Sequence, residues 1–250
     1  FLVLSGWRQL PAFASSPTHH KRKMNDAVPV ITLDGPGGAG KGTICLLLAD
    51  RLGWNMLDSG SLYRLTALES LRKNAPEDAQ LIEIAKNMDI EYVPDGVRLK
   101  VLLSGVDVTD AIRAEEVGSK ASEIAAIPAV RQALLERQRA FATLPGLLAD
   151  GRDMGTVVFP YAQLKIFLTA SPEERAKRRY KQLKEKGIDA NLPELVAELQ
   201  ARDKRDSERS VAPLKAADDA ILLDTTEMNI DDVVNRVLQL ANQRFGSEVV

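Results

Sequence analysis

The sequence predicts an α/β protein: a central parallel five-stranded sheet with helices on both faces, interrupted by a small inserted subdomain. Three observations carry that prediction. Five short apolar runs, VPVITLD (28–34), NMLD (55–58), GLLAD (146–150), LKIFLT (164–169) and AILLD (220–224), are separated by helix-like stretches, the alternation expected of parallel strands covered on both faces. Several of these runs finish on an acidic residue, Asp34, Asp58, Asp150 and Asp224, at the strand carboxyl ends where such sheets place their sites. One region, IEYVPDGVRLKVLLSGVDVT (90–109), breaks the alternation. It reads as three short strands joined by a Pro-Asp-Gly and a Ser-Gly turn, with Val97, Leu99, Val101 and Leu103 on one face. An antiparallel meander does not belong inside a βαβ series, so 85–132 is taken as the insertion, dividing the main body into 28–84 and 133–250.

Composition narrows the chemistry. With 250 residues, 45% of them hydrophobic, 33 Lys plus Arg and 35 Asp plus Glu, the chain has ordinary globular composition. No run reaches the roughly 18 apolar residues of a membrane-spanning helix, and no membrane partner is expected. Cys45 is the one cysteine, which excludes an intramolecular disulfide and a thiolate zinc cluster and fits a reducing compartment, the cytoplasm. Phe1 to Lys23 contains no acidic residue and ends in HHKRK. We read Met24 as the native start and 1–27 as a disordered extension outside the fold, although its acid-poor, basic composition also resembles a transit segment. Setting aside the four basic residues of Phe1 to Lys23 (Arg8, Lys21, Arg22, Lys23) leaves residues 24–250 with 29 basic against 35 acidic groups, a net charge of about -6. That balance argues against a nucleic-acid surface. Both histidines, His19 and His20, also fall in the extension. The body therefore has no histidine for a Ser-His-Asp or Cys-His nucleophile or for a histidine-ligated zinc.

After the first strand comes GPGGAGKGT, residues Gly35, Pro36, Gly37, Gly38, Ala39, Gly40, Lys41, Gly42 and Thr43, followed by the apolar run ICLLLADRL. Strand, glycine loop and helix form a phosphate cradle: backbone N–H groups converge on phosphate oxygens, the helix N-terminus adds positive potential, and Lys41 reaches the β and γ phosphates. The generic pattern sets a hydroxyl directly after the Lys; here Gly42 stands there and the hydroxyl comes one residue later, at Thr43. Cys45 in the following helix is a small core residue. The guanine-reading Asn-Lys-x-Asp motif is absent, and a second anion site takes its place in the argument.

The second strand ends in LDSGSLYR (57–64), putting Ser59 at the turn and Tyr63 and Arg64 on the first turns of the next helix. A guanidinium there suits a bidentate grip on a phosphate, with Tyr63 donating to it or packing on a ribose. The segment ADGRDMGTVVFP (149–160) crowds Asp150, Arg152 and Asp153 at a strand end among glycines. An ion-pair network holding the turn is the plainer alternative.

GPGGAGKGT, DSGSLYR and GRDMGTVVFP, in this order and spacing, resemble bacterial cytidylate kinases, which are P-loop nucleoside-monophosphate kinases. The resemblance covers residues 28 to about 245, with Gly37 where the loop often has Ser and Ser61 where the second motif often has Ala. It implies transfer of the ATP γ-phosphoryl group to CMP or dCMP, giving ADP and CDP or dCDP, with Mg²⁺ as cofactor, in a monomer. It makes 85–132 the monophosphate-binding insertion and 171–190 a helical lid. Residue by residue, it implies that Ser59, Tyr63, Arg64 and Arg152 surround the monophosphate and that Ser122, Arg131 and Asp153 read the base. The chemistry agrees: cytosine presents an amino donor beside two acceptors, matching a carboxylate and a guanidinium, whereas UMP reverses two of those positions.

SPEERAKRRYKQLKEKG (171–187) opens with Ser171 at the cap, Pro172 in the first turn and Glu174 to complete a capping box. Arg175, Arg178 and Arg179 share a face of this helix, and Arg202, Asp206 and Arg209 share one farther on. Spacing alone allows two solvated charged helices; beside a phosphate loop and a second anion site, these arginines suit phosphoryl transfer. The resemblance implies that the first helix closes over ATP, that Arg202 and Asp206 hold the ribose and that Arg209 holds phosphates. Positioning and charge neutralisation by Mg²⁺, Lys41, Arg152, Arg178, Arg179 and Arg209 then supply catalysis. Asp150, with Asp34 or Thr43, holds Mg²⁺ through water. A kinase for UMP or AMP and a non-catalytic nucleotide-binding module remain as alternatives.

Overall fold

The computed structural model describes residues 28–74, 77–95, 98–185 and 187–246. The expected extension (1–27) and Val97 of the meander face lie outside the described residues. Each of the five apolar runs contains a strand: β1 (Val30–Asp34), β2 (Asn55–Asp58), β6 (Leu147–Gly151), β7 (Leu164–Thr169) and β8 (Ile221–Asp224). They form one parallel sheet in the order β2-β6-β1-β7-β8. The meander is a separate antiparallel sheet of β3 (Ile90–Asp95), β4 (Arg98–Leu103) and β5 (Val106–Asp107). Val101 and Leu103 are buried and Leu99 is half-buried, so one face of β4 packs inward.

Alternation along β1 separates the two faces. Ile31 and Leu33 join a core with α1 (Lys41–Leu52) and α8 (Ile230–Phe245). Val30 joins a core on the other face with α2 (Ser59–Arg72), α3 (Asp78–Asn87), α4 (Glu115–Ile124) and α5 (Pro128–Arg139). Three layers result, as apolar faces on both sides of the sheet require. The meander buries Val101, Leu103 and Val108 in the second of these cores, so the insertion shares a core with the main body, and α5 runs across the expected boundary at 132.

The register lines up the carboxylates. Asp58 on β2 pairs with Asp150 on β6, and Asp150 pairs with Leu33, one residue before Asp34. Three acids thus crowd adjacent strand ends. Asp224 is different: at the sheet's edge it accepts from the backbone N–H and the hydroxyl of Thr226, at 2.9 and 2.6 Å, and closes a local turn. The helices α6 (Pro172–Glu185) and α7 (Leu192–Glu208) pack on each other beyond the strand ends. Ser171 caps α6 by accepting from the N–H of Glu174. The second half of the expected capping box is not made, because the Ser171 N–H donates to Thr226 and Glu174 pairs with Arg178.

Candidate active site

The phosphate loop follows β1 and turns on Gly35, whose φ of +144° is open only to glycine. A Cβ there would lie 2.1 Å from the Leu168 carbonyl oxygen. The loop opens α1, where Lys41 is buried. Lys41 Nζ donates to the Pro36 carbonyl at 2.9 Å and lies 3.9 Å from Asp150 Oδ1. Burial, reinforced by Arg152, pushes its pKa down to about 8. Burial pushes Asp150 up to about 7, against the pull of Lys41 and with the push of Asp58. A Cβ at position 42 would lie 3.4 Å from Asp150 Oδ2, an ordinary contact distance; Thr43 beyond it is exposed.

Asp34 belongs to the turn after β6. Its two carboxylate oxygens accept from Met154 N and Gly155 N at 2.8 and 2.7 Å, and burial raises its pKa to about 6 in spite of them. Arg175 is tied down inside the fold, donating to the carbonyls of Gly37 and Ala170 at 2.8 and 3.0 Å and pairing with Asp203. It links the phosphate loop to α6 and α7. Arg178 is fixed at the loop after β8, where it donates to the Thr225 carbonyl at 2.6 Å. The charge of Arg179, the next residue, bears on Arg64 and on Glu198.

The expected acceptor residues come together in one pocket between α2, α4, α5, the β6 end and α7. On its phosphate-loop side lie Arg64, Arg152 and Arg202, and a Cβ at Gly37 would sit 3.4 and 3.6 Å from the last two guanidinium groups. Desolvation and the neighbouring Arg152 and Arg64 push Arg202 down to about 10. Arg152 Nε donates to Asp206 Oδ2 at 2.9 Å, and Arg64 Nη1 donates to the Ile112 carbonyl at 2.7 Å. Gly118 makes room for Arg64, since a Cβ there would lie 3.0 Å from the guanidinium.

At the far side, Arg131 and Asp153 form a buried, closely hydrogen-bonded ion pair, and the Arg131 guanidinium lies 5.6 Å from the Tyr63 ring centroid. Arg209 lies beside this pair, 3.9 Å from Asp153, and donates to the Ala212 carbonyl at 2.6 Å. Arg202 therefore stands over the phosphate loop and Arg209 next to Arg131 and Asp153. Helix α7 ends at Glu208 and Arg209 is its C-cap, where the chain turns extended; Arg202, Asp206 and Arg209 all line the pocket. Ser122 Oγ, Arg202 Nε and Arg209 Nη2 are buried around this pocket without a hydrogen-bond partner among the described residues. Orphaned donors of this kind call for a polar ligand. Ser59 also lines the pocket, its hydroxyl bonded to Gln138. Sequence reasoning missed Gln138, Gly118 and the tie made by Arg175; the spacing of seven between Arg131 and Gln138 on α5 was the available signal.

Among the described residues no helix is long and apolar enough to cross a membrane. Comparison with known proteins gives a family match to cytidylate kinase over residues 31–243. "Cytidylate kinase" of Aeromonas salmonicida is 56% identical over 225 residues, covering 89% of this chain and 98% of that protein. "Cytidylate kinase" of Pseudomonas aeruginosa PAO1 is 58% identical over 220 residues, covering 86% and 96%. A solved shikimate kinase from Bacteroides thetaiotaomicron aligns with a TM-score of 0.45 and 13% identity over 86% of this chain and 99% of that one. With a family match across most of its length and relatives more than half identical to it, the chain belongs to the cytidylate kinase family.

Proposed function

We propose that this protein transfers the γ-phosphoryl group of ATP to CMP or dCMP. The observation that carries the reading is the acceptor pocket, with three arginines toward the phosphate loop and a carboxylate–guanidinium pair at its far side. Arg64, Arg152 and Arg202 grip the acceptor phosphate and, with Lys41, neutralise charge as the phosphoryl group passes. Asp153 accepts from the cytosine amino group, Arg131 and Ser122 serve the ring acceptors, and Arg209 supports this set. UMP would leave buried polar groups unpaired.

Without ligand, Arg152 is held by Asp206. An arriving phosphate offers Arg152 a more highly charged partner, which frees Asp206 for the sugar. The oxygens of Asp150 and Thr43 are hard donors beside the loop and fit Mg²⁺ held largely through water and nucleotide phosphates. Bound there, the ion would neutralise charge on the β and γ oxygens. Arg178 and Arg179 complete the donor side when the lid closes. Main body, insertion (85–132) and lid (171–190) then act as separate working parts. The buried Cys45 is in keeping with the cytoplasm.

A coupled ADP-release assay with Mg²⁺ and ATP against CMP, dCMP, UMP, AMP and GMP tests the reading. Turnover confined to CMP and dCMP is expected. Turnover on another monophosphate would discard the base assignment, and none with any acceptor would leave a binding module.

A further inference from the structure

Helix α5 turns two polar side chains toward α2. Arg131 lines the acceptor pocket; Gln138, two turns later on the same face, is 1% exposed and stands behind the pocket wall. Its amide is engaged entirely within the protein. Oε1 accepts from Ser59 Oγ at 2.7 Å, and Nε2 donates to the Leu134 carbonyl at 3.3 Å. Ser59, which lines the pocket, is thus anchored by one buried group.

The direction of these bonds follows from elementary inventory. A backbone carbonyl only accepts, so the Leu134 oxygen requires the amide nitrogen on its side and leaves the amide oxygen facing Ser59. A serine hydroxyl has a single proton. With that proton on Gln138, Ser59 meets a ligand through its lone pairs alone. It can accept a hydrogen bond from the nucleotide but has no proton for a phosphate oxygen, unlike the monophosphate contact expected for it from the sequence.

We propose that Gln138 is a positioning residue for phosphoryl transfer: its amide, oriented by the Leu134 carbonyl, fixes the Ser59 hydroxyl so that Ser59 selects a hydrogen-bond donor on the acceptor nucleotide. This rests on the pocket being the CMP site. A double-mutant cycle of Gln138→Met and Ser59→Ala tests it, with steady-state kinetics for both substrates and calorimetric titration of CMP without ATP. Gln138→Leu takes the place of the Met variant if that protein does not accumulate folded.

Loss of the bond is expected to raise the KM for CMP about tenfold, with kcat and the KM for ATP within about twofold. Ser59→Ala should do the same, and the double variant should be no worse than either single one. Losses that multiply, an equal rise in the KM for ATP, or an unchanged KM for CMP would overturn the proposal. If the wild type binds CMP without turning it over, the kinase reading fails alone and the calorimetric cycle still decides the role of Gln138. Absence of CMP binding by the wild type would overturn both.

Discussion

The two halves of the site are built by different means. The donor half is nine consecutive residues, Gly35 to Thr43, whose binding surface is mostly backbone and whose Lys41 is preset by the Pro36 carbonyl and Asp150. The acceptor half draws side chains from Ser59 to Arg209, five elements held together by packing and by internal ion pairs. A backbone cradle binds any nucleoside triphosphate because phosphates look alike, whereas a side-chain pocket can distinguish one base from another. Generality is thus encoded locally and selectivity at long range.

That contrast can be broken or sharpened by substitution. Lys41→Ala removes the one charged side chain of the loop, so kcat should fall by at least about a hundredfold in a folded protein; single-turnover kinetics keeping more than a tenth of the activity would refute it. Asp153→Asn keeps the shape but places an amide N–H where a carboxylate accepted. The ratio of kcat/KM for CMP to that for UMP should fall by about tenfold or more, with the KM for ATP little changed, and equal losses on both acceptors would count against base reading. Arg131→Ala should weaken the same ratio and also destabilise the fold by up to about 3 kcal/mol, because buried Asp153 loses its hydrogen-bonded partner and keeps only Arg209 at 3.9 Å; thermal unfolding measures this.

The pH dependence separates the halves more gently. Lys41 has its pKa lowered to about 8, so it loses its positive charge as pH rises through that value. The KM for ATP should then rise by about fivefold between pH 8 and pH 9. Arg202, lowered only to about 10, keeps its charge over that interval, so the KM for CMP should move less; parallel profiles would show that the lysine is not the titrating group. The smallest effect is expected from Gly118→Ala, whose methyl would press on the Arg64 guanidinium. A rise of about threefold in the KM for CMP is predicted, and no change would mean that Arg64 moves aside freely.

The strands and the phosphate loop were legible because both depend on nearest neighbours: buried parallel strands need continuous apolar runs, and the cradle needs glycine at fixed offsets from Lys41. The arginine-rich helices were less so. Arg175, Arg178 and Arg179 lie within two turns, yet Arg175 is locked under the phosphate loop, Arg178 is bound to Thr225 and the charge of Arg179 bears on Arg64. Periodicity gives a residue's face but not its partner. Asp34 and Asp224 illustrate the same limit, since a carboxylate at a strand end serves equally to close a turn.

By itself, then, the sequence determined the alternation of strands and helices, the phosphate-binding loop and, through the three motifs, the family. Only the tertiary structure decided that Asp58, Asp150 and Asp34 abut, that Arg202 lies beside the phosphate loop while Arg209 joins Arg131 and Asp153, and that Ser59 is bonded to Gln138. The reason is physical: hydrophobic period and backbone turns are local properties of the chain, whereas pKa values and hydrogen-bond direction depend on burial and on neighbours that only folding supplies.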